Sequence, residues 1–134
     1  MPTLITARQF GLTRAWRRDR KRAGLPPVVA DAALAGIARA HSRDMVDHDF
    51  VGHVSPRTGG AVDRVRRGGL SPGLVLENVG RAYSTEQAEG GFLSSPGHRG
   101  NILHPDARKL GVGIVIGAPV GGVTPMLVTQ LFTN

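Results

Sequence analysis

Apolar positions recur every three to four residues in the first third of this chain and every second residue in its last third. From about Thr6 to Ala23, the residues Leu12, Ala15, Trp16, Asp19 and Ala23 fall on one helical face, with Trp16 as its anchor. Gly24 ends that helix and Pro26-Pro27 forbids its continuation. Asp31 stands in the position of an N-cap. After it, Leu34, Ile37, Ala38, His41 and Met45 make the most regular stripe in the sequence, which predicts a helix from Asp31 to about His48. Asp49 to Thr58 has no period, and Phe50 is its anchor. A short helix follows over Gly59–Arg67, stopped by Gly68-Gly69, then a strand over Leu74–Val79. Thr85–Leu93 reads as a helix capped by Ser84 or Thr85 and stopped by Pro96. Gly111–Ile116 alternates as a strand, Gly117–Gly122 is its turn, and Thr124–Thr133 is the last strand. Gly111 and Gly113 keep the first of these thin where something packs closely, the second helix being the candidate. Helices first, then strands with a helix between them, give an α+β fold: helices on a small, mostly antiparallel sheet.

Length and charge narrow the picture. The 134 residues suit a single domain spanning 1–134, large enough to bury a core without staples. There is no cysteine, hence no disulfide framework and no thiolate metal site. No apolar run approaches the length of a membrane helix. Met1–Phe10 has neither an apolar core nor a small-residue cleavage site and does not read as a signal peptide. Either the protein stays inside the cell or a leader has already been removed. The formal net charge is +7. Arg14, Arg17, Arg18, Arg20, Lys21 and Arg22 crowd one segment, and Arg64, Arg66 and Arg67 form a second group. Such groups suit an anionic surface or polymer, although a solvated helix face is the plainer reading. Six aromatic residues offer few stacking platforms, which argues against nucleic acid.

The candidate chemistry sits at two breaks and one strand. Ser95-Pro96-Gly97-His98-Arg99 sets a histidine where the backbone is expected to turn, and Gly52-His53-Val54-Ser55-Pro56 repeats that setting upstream. Leu76-Glu77-Asn78-Val79 carries a lone carboxylate in an apolar run. Two imidazoles and a carboxylate could converge on one metal ion or one polar cleft. His41, on the apolar stripe, reads as a hydrogen-bonded core residue, His48 as a helix end and His104 as exposed. Ser55 near His53, and Ser94 and Ser95 near His98, lack an acyl-transfer motif. Asn78 and Asn101 read as loop braces, and Arg99 as a partner for Asp106 or Glu77.

Seven motifs in order resemble those of the CAP superfamily, in its compact bacterial form. They are Gly24-Leu25-Pro26-Pro27, His41-Ser42-Arg43-Asp44-Met45, Phe50 through Pro56, Glu77-Asn78, Ser95 through Leu103, Gly111-Val112-Gly113 and Thr129-Gln130-Leu131-Phe132. The resemblance implies a three-layer α-β-α sandwich and an extracellular or cell-envelope location. It also implies a central cleft lined by two histidines and up to two acidic residues. His53 and His98 match the histidines and Glu77 the first acidic residue. Ser95 falls at the second acidic position, three residues after Phe92, which replaces the family's tryptophan, so the tetrad is incomplete. Glu86 and Glu89 lie on the same helix, off that position. The remaining set suits a divalent metal, zinc first, with a coordination position left for water. Alternatively, Glu77 orients a histidine instead of binding metal. Three functions follow. The first is a secreted binding module for a lipid, glycan or peptide. The second is a metal-dependent hydrolase using His53, His98 and Glu77, weakened by the missing carboxylate. The third is a polyanion-binding protein using the Arg14–Arg22 face.

Overall fold

Side chains of the last strand point alternately to two different helical layers, and this alternation organises the molecule. The computed structural model describes residues 7–134, with side chains from Gly11 onward. Thr6 and the residues before it lie outside the described part. The elements are α1 (Ala7–Arg22), β1 (Val29–Ala30), α2 (Ala32–Asp47), α3 (Ala61–Arg67), β2 (Val75–Ala82), α4 (Thr85–Ser94), α5 (Pro96–Ile102), β3 (Lys109–Ile116) and β4 (Met126–Thr133). The sheet runs β1-β3-β4-β2. Only β1 pairs in parallel, with β3; the other two pairings are antiparallel.

On β4, Met126, Val128 and Phe132 join Leu12 and Trp16 of α1, Ala88 and Phe92 of α4, and Ile102 of α5 in the larger core. Leu131 joins Leu34 and Ala38 of α2 and Val65 of α3 on the other face, and Leu127 joins Met45. Two-residue alternation in a strand requires this division. The result is the expected three-layer α-β-α sandwich. Asp31 caps α2 through its carboxylate, which accepts from the Leu34 amide at 2.9 Å, and Ser84 caps α4 by accepting from Gln87.

The thin part of β3 is explained by α2. A Cβ on Gly113 would stand 2.1 Å from the Arg39 backbone nitrogen, and one on Gly111 would stand 2.3 Å from the Leu34 carbonyl carbon. The helix backbone therefore rests directly on the strand.

Two elements depart from the sequence reading. β1 has two residues and is too short to carry a period. The expected turn at Ser95-Pro96-Gly97 is instead the start of α5, so His98 rides on a helix. Proline at the first helical position loses no hydrogen bond, because that amide has no partner inside the helix. Arg20 also leaves the basic face assigned to it. Its side chain is fully buried and donates to the carbonyls of Pro26, Ile102, His104 and Ala107.

Candidate functional site

The free edge of β2 carries the candidate cleft. Glu77 and Asn78 are neighbours on this edge strand, so their side chains enter opposite layers of the sandwich. Glu77 lies on the α2–α3 side with Val75 and Val79, whereas Asn78 lies on the α4–α5 side. Each reaches one of the two histidine-bearing segments.

On the first side, His53 Nδ1 lies 2.9 Å from Glu77 Oε1. Arg64, reaching in from α3, places Nη1 2.7 Å from Glu77 Oε2 and Nη2 3.0 Å from Oε1. The same Nη2 donates to the His53 carbonyl at 2.7 Å. Both carboxylate oxygens are thus engaged. A carboxylate gripped by a guanidinium only accepts, so in a neutral His53 ring the proton belongs at Nδ1 and Nε2 keeps its lone pair. The His53 side chain is 54% exposed while those of Glu77 and Arg64 are buried. The ring thus stands at the surface on a buried charged base.

On the second side, Asn78 Nδ2 donates to the His98 carbonyl at 3.0 Å and to Gln130 Oε1 on β4 at 2.7 Å. Asn101 donates to the Glu77 carbonyl at 3.0 Å and to Asn78 Oδ1 at 2.8 Å, which ties α5 to the free strand edge. These are the braces expected of the two asparagines. The His98 ring is half-buried and packs 5.0 Å from Phe92, which in turn packs on Trp16. Burial pushes the His98 pKa down, and a protonated His53 would push it further the same way. Beside His98 opens an apolar cavity of about 190 Å³ that includes Gly80, Ala88, Gly91, Phe92 and Val128 in its wall.

The loop carrying His53 is anchored separately. His41 Nε2 donates to the Gly52 carbonyl at 2.7 Å, which makes His41 the core histidine its position on the stripe suggested. Asp44 accepts from the hydroxyl of Ser55 and from Arg57 Nε at 2.7 Å, and His48 Nδ1 stands 2.8 Å from its Oδ1. The Ser55 proton therefore goes to a carboxylate and not to a histidine, which leaves no serine–histidine pair at this loop. Ser95 begins α5 without a side-chain cap bond. Arg99 is exposed, and of the two carboxylates offered to it by sequence, Asp106 and Glu77, the second belongs to Arg64. Glu89 pairs with Arg18 at 2.6 Å, away from the cleft. Among the described residues, no three histidine, aspartate or glutamate side chains come together as a metal-binding group.

A profile of the cysteine-rich secretory protein family, CAP, matches residues 12–132. The chain belongs to this family. It is 33% identical over 115 residues to YkwD, an uncharacterized protein of Bacillus subtilis, covering 85% of this chain and 45% of that protein. It is also similar to the crystal structure of an extracellular protein containing an SCP domain from Bacillus anthracis. There the identity is 30% and the TM-score 0.84, over 95% of this chain and 40% of the other. An outer surface protein of Borrelia burgdorferi shares the fold at 17% identity, with a TM-score of 0.82. The chain spans less than half the length of the curated relatives it matches.

In this CAP domain the residue that sequence reasoning missed is Arg64. It was grouped with Arg66 and Arg67 as a surface cation, yet it is only 6% exposed. A signal was present: Ala61, Arg64, Val65 and Gly68 share the inner face of α3 by their three- and four-residue spacing.

Proposed function

We propose that this CAP domain is an extracellular binding module whose His53–His98 cleft holds a divalent cation, zinc first, and a ligand seated over it. The observation that carries the reading is the tie between His53 Nδ1 and Glu77, which leaves Nε2 as the free nitrogen of an exposed ring. A histidine whose second nitrogen is held by a carboxylate is the usual form of a metal-ligating histidine. The depressed pKa of His98 favours its neutral, ligating form. The donor set thus fits a cation bound through His53 and His98, with Glu77 behind the first ring and not in the coordination sphere. Such an ion would polarise an oxygen of whatever ligand completes its shell. The apolar cavity beside His98 suits a small aliphatic part of a lipid, glycan or peptide ligand.

Hydrolysis is the weaker reading, because Glu77 is engaged at both oxygens and cannot serve as a base for water. The extracellular placement draws support from the Bacillus anthracis and Borrelia burgdorferi proteins, whose descriptions are extracellular and outer-surface.

Zinc titration followed by imidazole resonances tests the proposal. The His53 and His98 signals are expected to move together while His41 stays unmoved. His98→Ala is expected to weaken zinc about tenfold or more. Independent responses of the two rings would remove the shared site.

A further inference from the structure

Arg64 stands behind the candidate ligand and touches none of the positions a ligand would occupy. Its fork meets both oxygens of Glu77, and one arm also takes the His53 carbonyl. The pair is buried, with side-chain exposures of 5% and 3%. Three consequences follow from that geometry. Both Glu77 oxygens accept from the guanidinium, so a neutral His53 ring presents Nδ1–H to them. Glu77 is held in one rotamer on β2, pointed at Nδ1 and unable to swing out toward an ion bound at Nε2. The backbone at His53 is fixed by the same group, while His41 fixes the preceding carbonyl at Gly52.

We infer that Arg64 is a positioning residue: it withdraws Glu77 from the coordination sphere and locks the tautomer and orientation in which His53 can bind a cation. The site is then a two-imidazole site. The charges of Glu77 and Arg64 cancel, so a divalent ion there keeps its full charge. Its open positions favour an exogenous ligand with carboxylate or phosphate oxygens. The metal part of this inference rests on the cleft reading above; the tautomer part does not.

Long-range proton–nitrogen correlation spectra of the metal-free protein read the His53 tautomer directly. The wild-type chain is expected to show Nδ1–H at His53 and separate, slowly rotating Nη–H signals from Arg64. Arg64→Met is expected to release the ring into a mixture of tautomers and to weaken zinc about tenfold or more. A merely structural role would lower stability and leave the tautomer and zinc affinity within about twofold in the folded variant, and that result overturns the inference. Should Arg64→Met fail to fold, the wild-type spectra still decide. An Nε2–H ring at His53, or a freely rotating Arg64 guanidinium, overturns the inference; the expected pattern sustains it. A locked Nδ1–H ring in a protein that takes up no zinc would sink the cation reading and leave the tautomer lock standing.

Discussion

A guanidinium survives in a protein interior only when its donors are answered, and Arg20 meets that condition. Its five N–H groups are matched by five hydrogen bonds to four carbonyls, drawn from Pro26, from the end of α5 and from the segment that leads to β3. Arg20→Met would strip the Pro26 and Ile102 carbonyls of their side-chain donors, while Ala107 keeps Arg108 and His104 keeps the Ala107 amide. Chemical denaturation is expected to show a loss of about 3–5 kcal/mol; a loss below about 1 kcal/mol would mean that water replaces the guanidinium easily. Arg20 and Arg64 also show where residue-level reading fails. Each sits in a run of basic residues, and such runs are ordinarily solvated. What marked them was spacing: Arg20 follows Leu12 and Trp16 at four-residue steps, so it lies on the buried face of α1. Composition hid what periodicity displayed. Glu77, His53 and His98 were visible by motif, but the sequence could not show that the carboxylate already had a partner.

Among the elements, α2 and β3 depend on each other most closely. Gly113→Ala would set a methyl group against the Arg39 backbone, which no rotamer change relieves. The expected cost is at least about 2 kcal/mol in urea unfolding. An unchanged midpoint would show that α2 lifts freely from the sheet. Both partners were legible, because a long apolar period and an alternating strand are strong signals. α5 was not, because Ser-Pro-Gly is as good a beginning for a helix as for a turn. β1 was not, because its two residues hold only by pairing with Lys109 and Leu110. Strand order is likewise a tertiary fact. The cleft around the β2 edge could be named from the family likeness and not from the residues themselves.

For the molecule as a whole, acid is the condition that tests the interior. Burial chiefly pushes the His41 pKa below its usual 6.5; the Gly52 carbonyl opposes this, Arg64 adds to it, and Glu77 and Asp44 oppose it. Burial alone would raise Asp44, but the Ser55 hydroxyl, Arg57 and His48 outweigh it and hold the group below 3.8. In both cases the native state binds fewer protons than the unfolded chain, so stability rises with pH. The His41 contribution is complete above about 6.5 and fades as pH falls below it; His98, shifted the same way, adds to that window. The Asp44 contribution is complete above about 4 and fades below. Urea midpoints measured from neutral pH into acid are expected to fall in two stages, with Asp44→Asn removing the lower one. A flat profile across the upper window would contradict the buried neutral histidine. The basic face of α1, meanwhile, is smaller than composition suggests, since Arg20 is internal and Arg18 is paired with Glu89.

The His53 loop is tethered from three directions: by His41 at Gly52, by Arg64 at His53, and by Asp44 at Ser55 and Arg57. A molecule arriving at this rim meets a finished surface and has no flap to wait for. Under the binding reading, capture is expected to be governed by the frequency of collisions and the fit of shape, with the loop in the same position with and without a ligand.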